Sequence, residues 1–295
     1  MFKLSLAALA VFALASAGTV SAQAVDVRWM PERPLPGTLV RITARAADAD
    51  AVPTLEGRVA GQPLHFAASG DAYVAYAGIP ADAPDSVTLS VIVREEGGIA
   101  DSVSLTIAVH VEPAPVAAAG ERLSVAPRFS RAPDAALAAR IARESAMAME
   151  VARRAHETPR LWDGPFTRPR DSRITSSFGT GRLFNGEVRS RHFGVDFAGA
   201  TGAPVRAANR GVVALVADFH LAGTAIYLDH GEGFVTGYFH LSKANVVAGD
   251  TVSRGEIIGL VGATGRVTGP HLHWIARYGT VTVDPLSVVE ATKPF

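Results

Sequence analysis

The strongest constraint on this chain is a rhythm. Apolar residues alternate with polar or small ones over short runs, and glycine or proline closes most of the runs. Val103, Leu105, Ile107 and Val109 alternate with Ser104, Thr106 and Ala108, which is the period of a strand with one buried face. The runs 39–43 and 86–93 are rich in β-branched residues, and turn clusters such as Pro34 to Gly37 and Gly97-Gly98 separate them. About seven such strands over residues 25–112 predict an Ig-like β-sandwich. The rhythm returns from residue 165 to 295, in runs such as 211–216, 224–228 and 234–239. Strands there do not alternate with helices, so the pattern predicts a compact, strongly bent antiparallel sheet rather than a doubly wound α/β fold. The expected class is mainly β.

Between these regions the pattern changes. Pro113 to Pro127 is rich in proline and alanine and reads as a linker. Residues 133–157 read as one helix, with Leu137, Ile141, Ala148, Val151 and Ala155 near one face. The helix could pack on either domain or lie across a cleft. The expected organisation is therefore 1–24 as a leader, 25–112 as an Ig-like domain, 113–164 as a linker containing the helix, and 165–295 as a second domain.

The leader rests on Lys3, a 14-residue apolar stretch from Leu4 to Ala17, and the small-residue site Ala22-Gln23-Ala24, with Val20-Ser21-Ala22 as a second cleavage site. An uncleaved anchor is the alternative. Cleavage predicts an exported protein, periplasmic or extracellular, without stable membrane insertion afterwards. Formal net charge is zero, which gives no basic excess for nucleic acid. Hydrophobic content of 48% allows real cores. With no cysteine, disulfides, thiolate metal sites and a cysteine nucleophile are all excluded.

Six of the nine histidines fall between residues 192 and 273. His271 and His273 are two apart in a run that reads as a strand, so both imidazoles leave one face while Leu272 leaves the other. Such a pair chelates one zinc, or splits into one ligand and one acid/base. His192 and Asp196 are four apart across Gly194, and the β-prone neighbours Phe193, Val195 and Phe197 favour a bend over a helix. With one histidine from the second pair they make two histidines and one carboxylate, the open three-ligand zinc site of hydrolases. His240 ends the strand 237–239 and by alternation shares a face with Tyr238 and Thr236. A third imidazole near the metal could relay protons. His65, His110, His156 and His220 match no site pattern, and His230 reads as structural.

Taken together, residues 172–286 resemble the catalytic domain of the lysostaphin/LytM-type zinc metallopeptidases. The resemblance is carried by Ile174 to Gly179, Arg191 to Phe197, Gly202 to Ala207, Gly211 to Val213, Tyr227 to Gly231, Tyr238 to Leu241, Val247 to Gly259, Gly262 to Gly265 and Gly269 to Trp274. It covers about two fifths of the chain. It implies one zinc held by His192, Asp196 and His273, with His240 and His271 facing water and substrate. It further implies peptidoglycan peptides as the partner; the expected state of the chain is a monomer. A D-amino-acid crosslink is favoured over a glycine bridge, because no recognisable glycine-bridge binding module follows the domain.

Two other classes compete. One is a non-catalytic wall-binding regulator built on the same domain, and another is a carrier module suggested by the glycine turns of residues 247–259. The intact five-residue constellation speaks against the first, and the lack of a modifiable lysine at a hairpin tip against the second. A zinc peptidase acting on proteins outside the wall is a third reading.

Overall fold

The computed structural model describes residues 25–46, 54–95, 98–110, 120–186 and 188–294. The leader expected at 1–24 lies outside them, as does the stretch 111–119 of the expected linker. Among the described residues no helix is long and apolar enough to cross a membrane.

The first eight strands are β1 (Val25–Met30), β2 (Leu39–Ala46), β3 (Thr54–Val59), β4 (Gln62–Pro63), β5 (Ala67–Ser69), β6 (Ala72–Gly78), β7 (Ser86–Glu95) and β8 (Gly98–Ala108). They form two four-stranded sheets, ordered β1-β2-β6-β5 and β4-β3-β7-β8. In order along the chain these are the two sheets of an Ig sandwich, with one extra edge strand on the second. Alternation decides the packing: Val40, Ile42 and Ala44 of one sheet meet Leu89, Val91, Leu105 and Ile107 of the other in one buried cluster.

Within the expected linker, Glu121–Leu123 forms strand β9. Helix α1 (Ala135–Arg154) follows, slightly shorter than the sequence pattern at both ends. Asp134 caps it by accepting the Leu137 N–H, and Arg153 and Arg154 complement its C-terminal dipole. Ala148 and the C-cap residue Ala155 are small and let it sit close against Phe219, Tyr227 and Ile275 of the second domain.

That domain contains β10 (Ile174–Ser176), β11 (Gly181–Phe184), β12 (Val188–Arg191), β13 (Val195–Ala198), β14 (Pro204–Arg206), β15 (Gly211–Phe219), β16 (Gly223–Gly231), β17 (Phe234–Ala244), β18 (Thr251–Val252), β19 (Ile257–Val261), β20 (His271–Tyr278) and β21 (Val281–Val283). The short helix α2 (Pro285–Ala291) follows. Ten strands make one sheet, whose main path runs β10-β13-β20-β17-β16-β15-β18. β11 and β12 form a hairpin outside that sheet, and β9 adds to the hairpin in parallel, with Arg182 opposite Glu121. Sequence pattern did not anticipate β9 or α2, each too short to show a period.

The sandwich is docked on the second domain rather than tethered to it. Leu39 and Tyr76 are buried in the second domain's core, where Tyr76 meets Trp162 and Phe234 edge-on. The Leu39 N–H donates to Ser287 Oγ at 2.9 Å, and the Tyr278 hydroxyl donates to the Pro63 carbonyl at 2.9 Å. This seam gathers at the Tyr278 end of β20. His271 begins the same strand seven residues away, roughly 23 Å along it.

Candidate metal centre and active site

The site is assembled where β13 and β20 run side by side. Asp196 pairs in register with His273. On β20, Leu272 and Trp274 are fully buried in the core, so His271 and His273 emerge together on the opposite face. His192 arrives from the turn between β12 and β13. Gly194 is required in that turn, because a Cβ there would lie 2.7 Å from the His273 ring and 2.6 Å from the Trp274 carbonyl. The expected bend is therefore a close approach of backbone to imidazole.

Three ligand atoms converge. His192 Nε2 lies 3.1 Å from Asp196 Oδ1 and 2.8 Å from His273 Nδ1, and His273 Nδ1 lies 2.7 Å from Asp196 Oδ1. All three side chains are buried or nearly so. His192 Nδ1 is 2.9 Å from the Ser177 carbonyl, which can only accept, so that nitrogen carries the proton and Nε2 presents a lone pair. A carboxylate oxygen and an imidazole lone pair facing one point in a buried space need a cation there. The spacings approach the edge of a tetrahedron with bonds of about 2.0–2.1 Å, as around zinc. The donor set fits a divalent ion held by His192, Asp196 and His273.

Electrostatics agree with that fit. Burial alone would raise the Asp196 carboxyl, but the His192 and His273 imidazoles that face it outweigh burial and hold the group well below the usual carboxylate range. Burial pushes the His273 imidazole down to about 4, so the ring is neutral and ready to ligate. The other oxygen of Asp196 is held by the Arg182 guanidinium, and Arg182 Nε in turn lies 3.2 Å from Glu121. Arg182 therefore connects the metal ligand to β9. Neither Arg182 nor Glu121 stands out in the sequence, because arginine and glutamate at isolated positions read as surface residues. Ser176 was also unassigned; its buried hydroxyl lies 3.1 Å from His192 Nδ1.

His240 reaches the site by breaking the strand rhythm. Strict alternation would put it with Tyr238 and Thr236 on the core side. Instead two residues, Phe239 and His240, stand opposite one on β16, since Thr224 pairs with Leu241 and Ile226 with Tyr238. This is a β-bulge, and His240 takes a left-handed φ of 62° within it. The shared-face expectation for His240 is corrected accordingly. The bulge turns its ring to 4.9 Å from that of His271 and 5.8 Å from that of His273, centroid to centroid.

His240 and His271 are held alike. His240 Nδ1–H donates to the Thr264 carbonyl at 2.8 Å, and His271 Nδ1–H donates to the Gly269 carbonyl at 2.8 Å. Each backbone carbonyl fixes a tautomer whose Nε2 is free to accept a proton. Burial, reinforced by His271 and His273, drives the His240 pKa well below its ordinary value, so the ring is a neutral base at pH 7. His271 Nε2 is 3.7 Å from Asp196 Oδ1, beside the metal position. A cavity of about 350 Å³ opens over Asp196, His240 and His271.

The remaining histidines lie elsewhere. His230 is fully buried, with Nδ1–H donating to the Arg210 carbonyl at 2.8 Å. His65 and His156 stack on each other at the seam with the sandwich, 2.9 Å apart between ring nitrogens. His220 packs against Phe129.

Residues 190–285 match the sequence profile of peptidase family M23. The C-terminal domain belongs to peptidase family M23. The M23 domain is 47% identical over 103 residues to the peptidoglycan DD-endopeptidase ShyA of Vibrio cholerae serotype O1, a match covering 35% of this chain and 24% of that one. It is 44% identical over 101 residues to the DD-carboxypeptidase/endopeptidase Mpg of Neisseria gonorrhoeae, covering 34% of this chain and 23% of the relative. The chain thus matches only about a quarter of the length of these curated relatives. A crystal structure from Pseudomonas aeruginosa assigned to peptidase M23 shares the architecture more broadly. It superposes with a TM-score of 0.65 at 28% identity, over 88% of this chain and 96% of that one. The likeness therefore extends beyond the M23 domain to the sandwich and connecting segment.

Proposed function

We propose that this protein is an exported zinc endopeptidase that hydrolyses peptide crosslinks of peptidoglycan. One observation carries the reading: three metal-ligand atoms converge at one point, with two imidazoles of fixed tautomer beside it on an open cavity. The names of the M23 relatives, a DD-endopeptidase and a DD-carboxypeptidase/endopeptidase, favour a bond between D-amino acids over a glycine bridge.

His192, Asp196 and His273 hold the ion. When bound, zinc lowers the pKa of a water and polarises a carbonyl, which provides a nucleophile near neutral pH. The protein's own residues do the rest. His240 and His271 each bond a backbone carbonyl through Nδ1–H and turn Nε2 to the cavity, so an imidazole there can accept the proton of the attacking water and then pass that same proton to the leaving amine. Help of this kind contributes roughly 10²–10⁴-fold. The backbone carbonyls of Thr264 and Gly269 keep both rings from turning, so the lone pairs are aimed before substrate arrives.

The test is digestion of purified peptidoglycan by the purified protein, followed by mass spectrometry of the muropeptides. Crosslinked dimers should fall to monomers, a chelator should stop the reaction, and added zinc should restore it. Zinc retained tightly with dimers left intact would establish a non-catalytic role instead.

A further inference from the structure

Two cavities flank the metal centre, one of about 350 Å³ and one of about 280 Å³. Arg182, Phe184, His240 and Arg266 border both, so these residues form the wall that a chain lying across the cleft must touch. The two arginines are in different states. Arg182 is engaged with the carboxylates of Glu121 and Asp196. Arg266 sits over the Phe184 ring, its Cζ 4.1 Å from the centroid, and its guanidinium has no anionic partner among the described residues.

A guanidinium seated over an aromatic ring keeps N–H groups available, and its planar fork can receive a carboxylate in two parallel hydrogen bonds. Burial, and then the nearby charge of Arg182, disfavour the charge on Arg266, so an incoming anion relieves both. Glu121 shows that this wall already accommodates one carboxylate, on the neighbouring arginine. Arg173 adds a third cation to the first cavity, against only Glu121 and Asp196.

We propose that Arg266 is a substrate-binding residue that receives a free carboxylate of the peptide close to the scissile bond. The inference rests on the peptidase reading and adds a chemical requirement to it: the preferred substrate is anionic beside the cut.

The experiment uses zinc-loaded protein and synthetic crosslinked peptides in three forms. One has its carboxylates free, one has only the C-terminal carboxylate amidated, and one has only the side-chain carboxylate amidated. The wild type should cleave the free form with a kcat/KM about tenfold to a hundredfold above one of the two amides, the range of a charged hydrogen-bonded pair. Which amide loses identifies the group that Arg266 takes. In Arg266→Gln the ratio should collapse towards one, and Arg266→Lys should keep part of it. Zinc content and melting temperature of each variant establish that the site is intact. Equal wild-type rates on all three peptides, or an unchanged ratio in Arg266→Gln, would overturn the carboxylate assignment and leave the peptidase reading standing. Failure of the wild type to cleave any of them, or peptidoglycan, would overturn both.

Discussion

His192 and His273 meet through different nitrogens, Nε2 of the first lying 2.8 Å from Nδ1 of the second. The difference follows from local structure. His192 sits in a turn and spends Nδ1–H on the Ser177 carbonyl, so only its far nitrogen reaches the point where the three side chains meet. His273 stands on β20 directly across from Asp196, and its near nitrogen is already at the meeting point.

This asymmetry makes the ligand variants position-specific. Alanine at His192, Asp196 or His273 should abolish zinc binding and hydrolysis together. An asparagine carries its terminal atoms where Nδ1 of a histidine lies, and a glutamine carries them where Nε2 lies. His192→Gln should therefore retain more zinc than His192→Asn, and the order should reverse at His273. Zinc per chain after dialysis against a weak chelator is the measurement, and the same order at both positions would sink the assignment of nitrogens.

The two remaining site histidines should separate metal from chemistry. His240→Ala and His271→Ala leave the three ligands in place, so zinc content should stay near one per chain while kcat falls by roughly 10²–10⁴-fold. Zinc lost along with activity from either variant would move that histidine into the ligand set.

Most of the site was legible in the sequence because its residues obey simple periods. His271 and His273 are two apart on a strand, and two-residue spacing fixes a common face whatever the rest of the fold does. His192 and Asp196 were legible through Gly194, whose missing Cβ admits the His273 ring. His240 shows the limit. Its type and place in order were readable, but its direction depends on a bulge, and a bulge is set by pairing with a distant strand. Arg182 and Glu121 were illegible for a similar reason. Their roles come from the parallel pairing of β9 with β11, two short segments some sixty residues apart in sequence, in a stretch that composition assigns to a linker.

Arg182 provides a prediction that the sequence could not. It contacts the Asp196 oxygen turned away from His192 and His273, and so keeps Oδ1 facing the two imidazoles. Groups that orient a metal ligand are typically worth 10–100-fold in metal affinity. Arg182→Met should weaken zinc binding by about that factor, read by competition with a chromophoric chelator. Glu121→Gln should have a smaller effect in the same direction, because it loosens Arg182 without removing it. An Arg182→Met protein with wild-type zinc affinity would show that Asp196 needs no such support.

His230 sets a pH dependence on folding itself. The ring is fully buried, and burial lowers its pKa to about 4 against an ordinary 6.5, a shift only partly opposed by its hydrogen bond to the Arg210 carbonyl. A histidine with a depressed folded-state pKa is neutral in the native protein while the unfolded chain takes up a proton. Between pH 6.5 and 4 the unfolded state therefore binds more protons, and stability falls as pH falls. The contribution is complete above pH 6.5 and declines by about 1.4 kcal/mol per pH unit below it, reaching about 3 kcal/mol near pH 4. Urea unfolding at several pH values should show this slope in the wild type. His230→Asn, which keeps a donor towards Arg210 but cannot be protonated in this range, should be less stable at pH 7 and lose its stability more gradually on acidification. Parallel slopes for the two proteins would mean that His230 takes up its proton without unfolding.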